Sequence, residues 1–221
     1  MHSPRPIHVL LFDASLREGS HNRKLVKLAE HAVRDLGGDA LRRTIADYEC
    51  PLYDADVELE QGITEGARRL CEELRAADAF VVASPEYNAS MPGVIKNLID
   101  WASRARPQPF NGKQGLLMSA SPSMAGGNRG LWALRIPLEH LGARLYPDMF
   151  SLAQSHLAFD EGGRLKNDVL ARRFADTLRC FVDLVEAATH YPELKKQWVE
   201  FLGEQPDHAT DRVETSETVA A

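Results

Sequence analysis

Four side chains within eight residues could hold an anion: Ser15, Arg17, Ser20 and Asn22. They lie between an apolar run, 7–12, and a segment with helical apolar spacing, 22–36. Hydroxyls, an amide and a guanidinium are the donors a phosphate group needs. A helix start adds unpaired N–H groups and the positive end of a dipole. Neither G-x-x-x-x-G-K-[ST] nor G-x-G-x-x-G occurs there, which weakens an NTPase or a dinucleotide-Rossmann reading. A hydroxyl-rich loop suits a monophosphate held by side chains. The competing reading is a capping turn, with Ser20 or Asn22 as the cap.

Two further stretches could face a flat ligand. Pro85-Glu86-Tyr87-Asn88-Ala89-Ser90-Met91-Pro92-Gly93 follows the apolar run Ala79–Ala83 and precedes a segment apolar at 94, 95, 98, 99, 101 and 102. Its backbone N–H and C=O groups could read the edge of a planar ring, with Tyr87 packed beside it. Glu86 is a possible acid or base, but a structural hydrogen bond or an interface contact is the stronger expectation, and Asn88 can bond within its own turn. The third stretch is Ser121-Pro122-Ser123-Met124-Ala125-Gly126-Gly127-Asn128-Arg129. Gly126 and Gly127 permit close backbone approach to a flat ligand; the plain alternative is a flexible connection.

The elements that must position these loops alternate between strand and helix. Strands are predicted at 7–12, 40–45, 79–83, 115–120 and, interrupted near Pro147, within 143–152. Helices are predicted at 22–36, 64–74, about 91–103, 129–141 and 168–188, with Gly37-Gly38 ending the first. The stretch 47–62 is polar, contains Pro51 and reads as a long loop. This alternation implies an α/β fold, a doubly wound five-stranded parallel sheet with helices on both faces. The three loops follow the first, third and fourth strands, so they should meet at one sheet edge, where such folds bind ligands. Phosphate donors at one end and ring-lining backbone at the other describe a mononucleotide site, and FMN is a good candidate.

Bulk composition narrows the class. The net charge is −6, and from Glu204 onward five acids face one arginine, leaving a nearly neutral body. No basic stripe is present, which argues against nucleic acid as a partner. No apolar run approaches the ~20 residues of a membrane span. The three cysteines, Cys50, Cys71 and Cys180, form no C-x-x-C pair, which fits a reducing cytoplasm better than a disulfide framework. The expected division is one FMN-binding domain over 1–192, then a short helix and an acidic, disordered tail over 193–221.

At these loops the chain resembles the NADPH-dependent FMN reductase family, whose fold is flavodoxin-like and which includes quinone, azo-dye and chromate reductases. The family's G-S-x-R-x-x-S-x-N is matched by 14–22, with Ala14 where glycine is usual; P-E-Y-N-x-S-x-P-G-x-x-K-N-x-I-D-W by 85–101; and S-P-x-x-x-G-G-x-R by 121–129. The likeness runs from about Ile7 to Ala188. It implies strand order 2-1-3-4-5, with Ser15, Arg17, Ser20 and Asn22 on the FMN phosphate. It implies Pro85, Glu86, Tyr87 and Asn88 along the ribityl chain and isoalloxazine, and Ser121, Gly126 and Gly127 on the ring's other side. Activity would be ping-pong hydride transfer from NADPH or NADH to bound FMN and on to a quinone, azo compound, flavin or metal oxyanion. No catalytic side chain and no metal are then required. A homodimer or homotetramer is implied, with Ile99 and Trp101 as candidate exposed residues beside the ring loop, though spacing allows a core role equally. A non-enzymatic flavin-binding electron carrier and a redox-sensing binding module are the rival readings.

Overall fold

A computed structural model describes residues 5–190, together with the backbone at 199–200 and 212–213. The order is β1 (His8–Asp13), α1 (His21–Asp35), β2 (Asp39–Thr44), a 3-10 turn (Ile45–Tyr48), α2 (Ala55–Gln61), α3 (Glu65–Ala76), β3 (Ala79–Ala83), α4 (Gly93–Ala102), β4 (Gln114–Ala120), α5 (Asn128–His140), β5 (Arg144–Leu145), β6 (Phe150–Leu152), α6 (Ser155–Ala158) and α7 (Asp168–His190). The strands pair in parallel as β2-β1-β3-β4-β5, with β6 also pairing β4. The fifth sheet position is thus filled by two short segments either side of Pro147, where proline has no N–H for a ladder bond.

Both faces of the sheet are covered, and the strands show it residue by residue. Leu10, Phe12, Phe80, Val82 and Leu117 pack beneath α3, α4 and α5. Their neighbours Val9, Leu11, Val81, Leu116 and Met118 pack beneath α1 and α7. Because successive side chains point to opposite faces, a strand buried on both sides must be apolar throughout, as β3 is.

Two expectations change here. Trp101 and Ile99 are core residues, 0 % and 3 % exposed. The Trp101 indole donates to Pro51 O at 2.9 Å, and Asn97 both donates to Pro51 O and accepts from Tyr53 N. These bonds fold the 51–53 segment over α4, and that cover is what buries the tryptophan. The stretch read as one loop over 47–62 holds the last residues of the 3-10 turn and the whole of α2. Helix α2 has no fully buried residue, so it carried no apolar period to read. It is held by the Asp54 cap on Asp56 N and by Glu58, which accepts from Tyr53 Oη and Arg104 Nε.

Beyond α7, Val199–Glu200 and Arg212–Val213 pair as a short antiparallel ladder, β7 and β8. The rest of the expected short helix and acidic tail lies outside the described residues. Among the described residues, no helix is long and apolar enough to cross a membrane, and no His, Cys, Asp and Glu cluster could hold a metal ion.

Candidate functional site

The three loops leave the sheet at one edge because their strands run in register. Asp13 stands beside Ala83, and Ala83 beside Met118. The ladder continues into the loops: Ala14 N donates to Ala83 O, Ser84 N to Met118 O, both at 2.9 Å, and Ser121 N to Leu152 O at 3.0 Å. Loop starts pinned this way cannot drift from the sheet edge.

The first loop is a set of buried donors. Ser20 caps α1, its Oγ accepting from Asn22 N at 3.2 Å. Ser15 Oγ accepts from Arg17 N at 3.3 Å. Both serines are buried, and a hydroxyl that accepts one bond still has its own O–H to give. The guanidinium of Arg17 is exposed and meets no acceptor among the described residues. Two spare hydroxyls, one spare guanidinium and a helix start fit a phosphate monoester.

Asn22 is placed differently from expectation. Its amide donates to Ala120 O at 3.1 Å and its carbonyl accepts from Ala120 N at 2.8 Å. The side chain therefore staples α1 to the end of β4, and its part in the site is to hold the loop. Sequence reasoning also missed Asp13. This aspartate is fully buried at the end of β1 and accepts from Arg23 Nε at 3.3 Å. Arg23 also donates to Ser15 O at 3.3 Å. Burial pushes the Asp13 carboxyl up, against the pull of Arg23. An acid closing an apolar strand was the available signal. His21, in the same loop, reads from sequence only as an exposed residue. Its Nδ1 stands 2.6 Å from Oγ of buried Ser155, brought in by α6, and no short-range pattern announces that contact across 134 residues of sequence.

The second loop is self-locked. Tyr87 and Ser90 exchange backbone bonds at 3.0 Å each way, and Asn88 and Ala89 both take positive φ, 51° and 62°. That is the geometry of a type I′ turn. Asparagine tolerates it; alanine there carries strain of order 1 kcal/mol. Tyr87 is 53 % exposed, standing free at the edge between Pro85 and Pro92. Glu86 turns away from the edge. Its carboxylate accepts from the backbone N–H groups of Arg129 and Gly130, at 3.0 and 3.2 Å, and from Arg129 Nε at 2.8 Å. Only the backbone of Glu86 is left to face a ligand, and of the readings for its side chain it is the structural hydrogen bond that the geometry displays.

The third loop owes its glycines to the chain itself. Gly126 and Gly127 have φ of 63° and 86°. A Cβ on Gly127 would stand 1.9 Å from Ser119 Oγ, and one on Gly126 would stand 2.9 Å from Ala153 N. The loop lies directly on β4 and the end of β6, a closeness that only glycine allows. Ser121 Oγ accepts from Ser123 N and is bonded to Ser123 Oγ. Next to this loop, a Cβ on Gly130 would meet the Glu86 Cα at 3.1 Å, so the first turn of α5 lies against the second loop.

Fold and edge together define a flavodoxin-like α/β protein with three loops at one sheet edge, the first of them rich in spare hydrogen-bond donors. Residues 7–157 match the NADPH-dependent FMN reductase family. An NAD(P)H-dependent FMN reductase of Pseudomonas aeruginosa is 39 % identical over 164 residues, 73 % of this chain and 86 % of that protein. A quinone reductase of Escherichia coli K12 is 41 % identical over 138 residues, 62 % and 72 % of the two chains. Among solved structures, FerB, a flavoenzyme NAD(P)H:(acceptor) oxidoreductase of Paracoccus denitrificans, superposes with a TM-score of 0.71 at 28 % identity, covering 82 % of this chain and 98 % of that one. The chain belongs to the NADPH-dependent FMN reductase family. It is an oxidoreductase that works with FMN and NAD(P)H.

Proposed function

We propose that this protein passes electrons from NAD(P)H to small quinones by way of FMN held at the common edge of the three loops. The observation that carries the reading is the donor set at the start of α1: Ser15 and Ser20 keep spare hydroxyl hydrogens, and Arg17 stands free among the described residues. In this reading these three hold the phosphate, and Asn22 fixes their spacing through Ala120. The backbone of Pro85, Glu86, Tyr87 and Asn88 lines the ring and ribityl chain, while Ser121, Gly126 and Gly127 close the other side.

FMN bound there supplies the chemistry, accepting hydride from the nicotinamide and returning two electrons to the acceptor. The chain's own contribution is to bind, orient and tune. Tyr87, exposed at this edge, would stand beside the bound ring. Quinones are favoured over azo compounds and metal oxyanions by the named activities of several curated relatives, with FMN itself named for another.

A homodimer or homotetramer goes with this reading. Its candidate face is α5, where Trp132 and Ile136 lie one turn apart and are 57 % and 72 % exposed. The free thiols of Cys50, Cys71 and Cys180 support a reducing compartment, the cytoplasm. The test is a reconstitution. Purified protein mixed with FMN should turn yellow, bleach with NADPH or NADH, and recover colour on adding a benzoquinone, with parallel-line kinetics. Protein that takes up no FMN in excess ends the reading; FMN uptake without quinone turnover moves it to the electron-carrier alternative.

A further inference from the structure

Glu86 and Arg129 form a charge pair between the ring-facing turn and the start of α5. The carboxylate receives both backbone N–H groups and the guanidinium, with Arg129 Nη2 2.5 Å from Oε1. Its side chain is 6 % exposed, against 61 % for Arg129. Burial pushes the Glu86 carboxyl up, but the bonds from Arg129 and Gly130 outweigh it and hold the group below the ordinary carboxylate range. Glu86 is therefore ionised at neutral pH opposite a guanidinium.

Three fixed charges meet here. The helix end contributes about half a positive charge, the guanidinium a full one, and the carboxylate cancels a full one. The sum is about half a positive charge. Remove only the carboxylate charge and it rises to roughly one and a half; remove only the guanidinium and it changes sign, to about minus a half. Glu86 precedes Tyr87 in the chain, and its carboxylate reaches Gly130 N at 3.2 Å, so these charges lie at the contact between the second loop and the start of α5.

We infer that Glu86 and Arg129 are opposed electrostatic settings on the redox balance of the flavin, Glu86 holding the reduced form back and Arg129 favouring it. The inference rests on the FMN reading above. Hydride transfer converts NAD(P)H to NAD(P)+ and places two electrons and one proton on the ring, which then carries one more negative charge than before. Fixed positive charge nearby favours that state and fixed negative charge opposes it. Both residues are positioning and tuning groups; neither is required to touch the reacting atoms.

A clamp and a charge setting predict different outcomes. If the pair only ties loop to helix, Glu86→Gln and Arg129→Gln lose the same bonds and shift flavin binding the same way. If the charges matter, the two variants move apart. The experiment reconstitutes wild type, E86Q, R129Q and R129K with FMN. It then compares affinity for oxidised and reduced FMN, and the midpoint potential against a reference dye. The glutamine carbonyl can still accept from Arg129 N and Gly130 N, which keeps the E86Q loop in place.

For E86Q the reduced-over-oxidised affinity ratio should rise about tenfold, equal to about 30 mV upward for a two-electron couple. For R129Q it should fall by a similar factor, and R129K should stay near wild type. Shifts in one direction for both variants, or no shift in either, overturn the inference while FMN still binds. Failure of wild type to take up FMN overturns the underlying reading as well, and the two failures are distinguished by colour alone.

Discussion

The first and second loops leave the same sheet edge and are built on opposite plans. In the first, Ser15 and Ser20 each accept one bond from the chain and keep a hydrogen to give, and Arg17 stands in solvent. In the second, Tyr87 and Ser90 satisfy each other, Pro85 and Pro92 fix φ, and Glu86 is fully engaged on α5. One loop holds donors in reserve for a ligand. The other uses its polar groups to become a rigid frame. Substitutions in the two should therefore separate ligand affinity from stability.

The third loop, which backs this frame beside Glu86, should break hardest at Gly127. An alanine there must hold φ near 86° and bring its Cβ within 2.8 Å of the Ser119 Cβ as well as onto the Oγ. Left-handed strain and overpacking each cost about 1–3 kcal/mol. G127A should lose about 2–6 kcal/mol in urea unfolding, and adding Ser119→Gly should return part of it. An unchanged urea midpoint would mean the loop does not press on β4.

Asn22 is the exception inside the first loop, and it tests the comparison from the other side. Asn22→Ala strips Ala120 of partners on both its N–H and its C=O, at a buried position. An abandoned buried group costs about 1–3 kcal/mol, so N22A should destabilise the ligand-free protein by about 2–4 kcal/mol. Affinity loss without any stability loss would return Asn22 to the ligand.

Arg17→Ala should give the reverse pattern. A hydrogen bond to a charged group contributes about 1.5–3 kcal/mol, so FMN affinity should fall about 10- to 100-fold. The melting temperature of the ligand-free protein should not move, because Arg17 is exposed and meets no acceptor among the described residues. Equal FMN affinity in R17A and wild type, read by fluorescence quenching, would take the guanidinium out of the phosphate role.

These contrasts explain what was legible in the sequence. The apolar run Ala79–Ala83 and the helical spacing over 94–102 report burial directly, so β3 and α4 followed from pattern, while the sheet order came with the resemblance to the family. Pro147 announced the break between β5 and β6 because its missing N–H acts locally. What pattern could not carry was the choice of partner. The period that buries Trp101 is the same period that would present it to a second subunit, and only the bond to Pro51 O decides. Glycine at 126 and 127 signals close approach, but the sequence does not say that β4 and β6 are what approaches. Asn22 looks like a donor from its loop, yet its partner is 98 residues away.

His21 gives the finest test of the reserve-donor plan. Its pKa lies below 6.5, first because of burial and then because Lys24, Arg17 and His156 surround it with positive charge. A histidine with a depressed folded pKa adds stability that is complete above the unfolded value. That stability is lost as pH falls through the folded pKa, since the unfolded chain binds the proton more readily. Ligand-free wild type should therefore lose more stability than H21Q between pH 7 and pH 5. A phosphate dianion seated beside Arg17 offsets the charge that repels the proton. The His21 pKa should then rise when FMN binds, seen as a shift of its imidazole NMR titration to higher pH. A titration curve that stays put with FMN bound would place the phosphate away from His21 and Lys24.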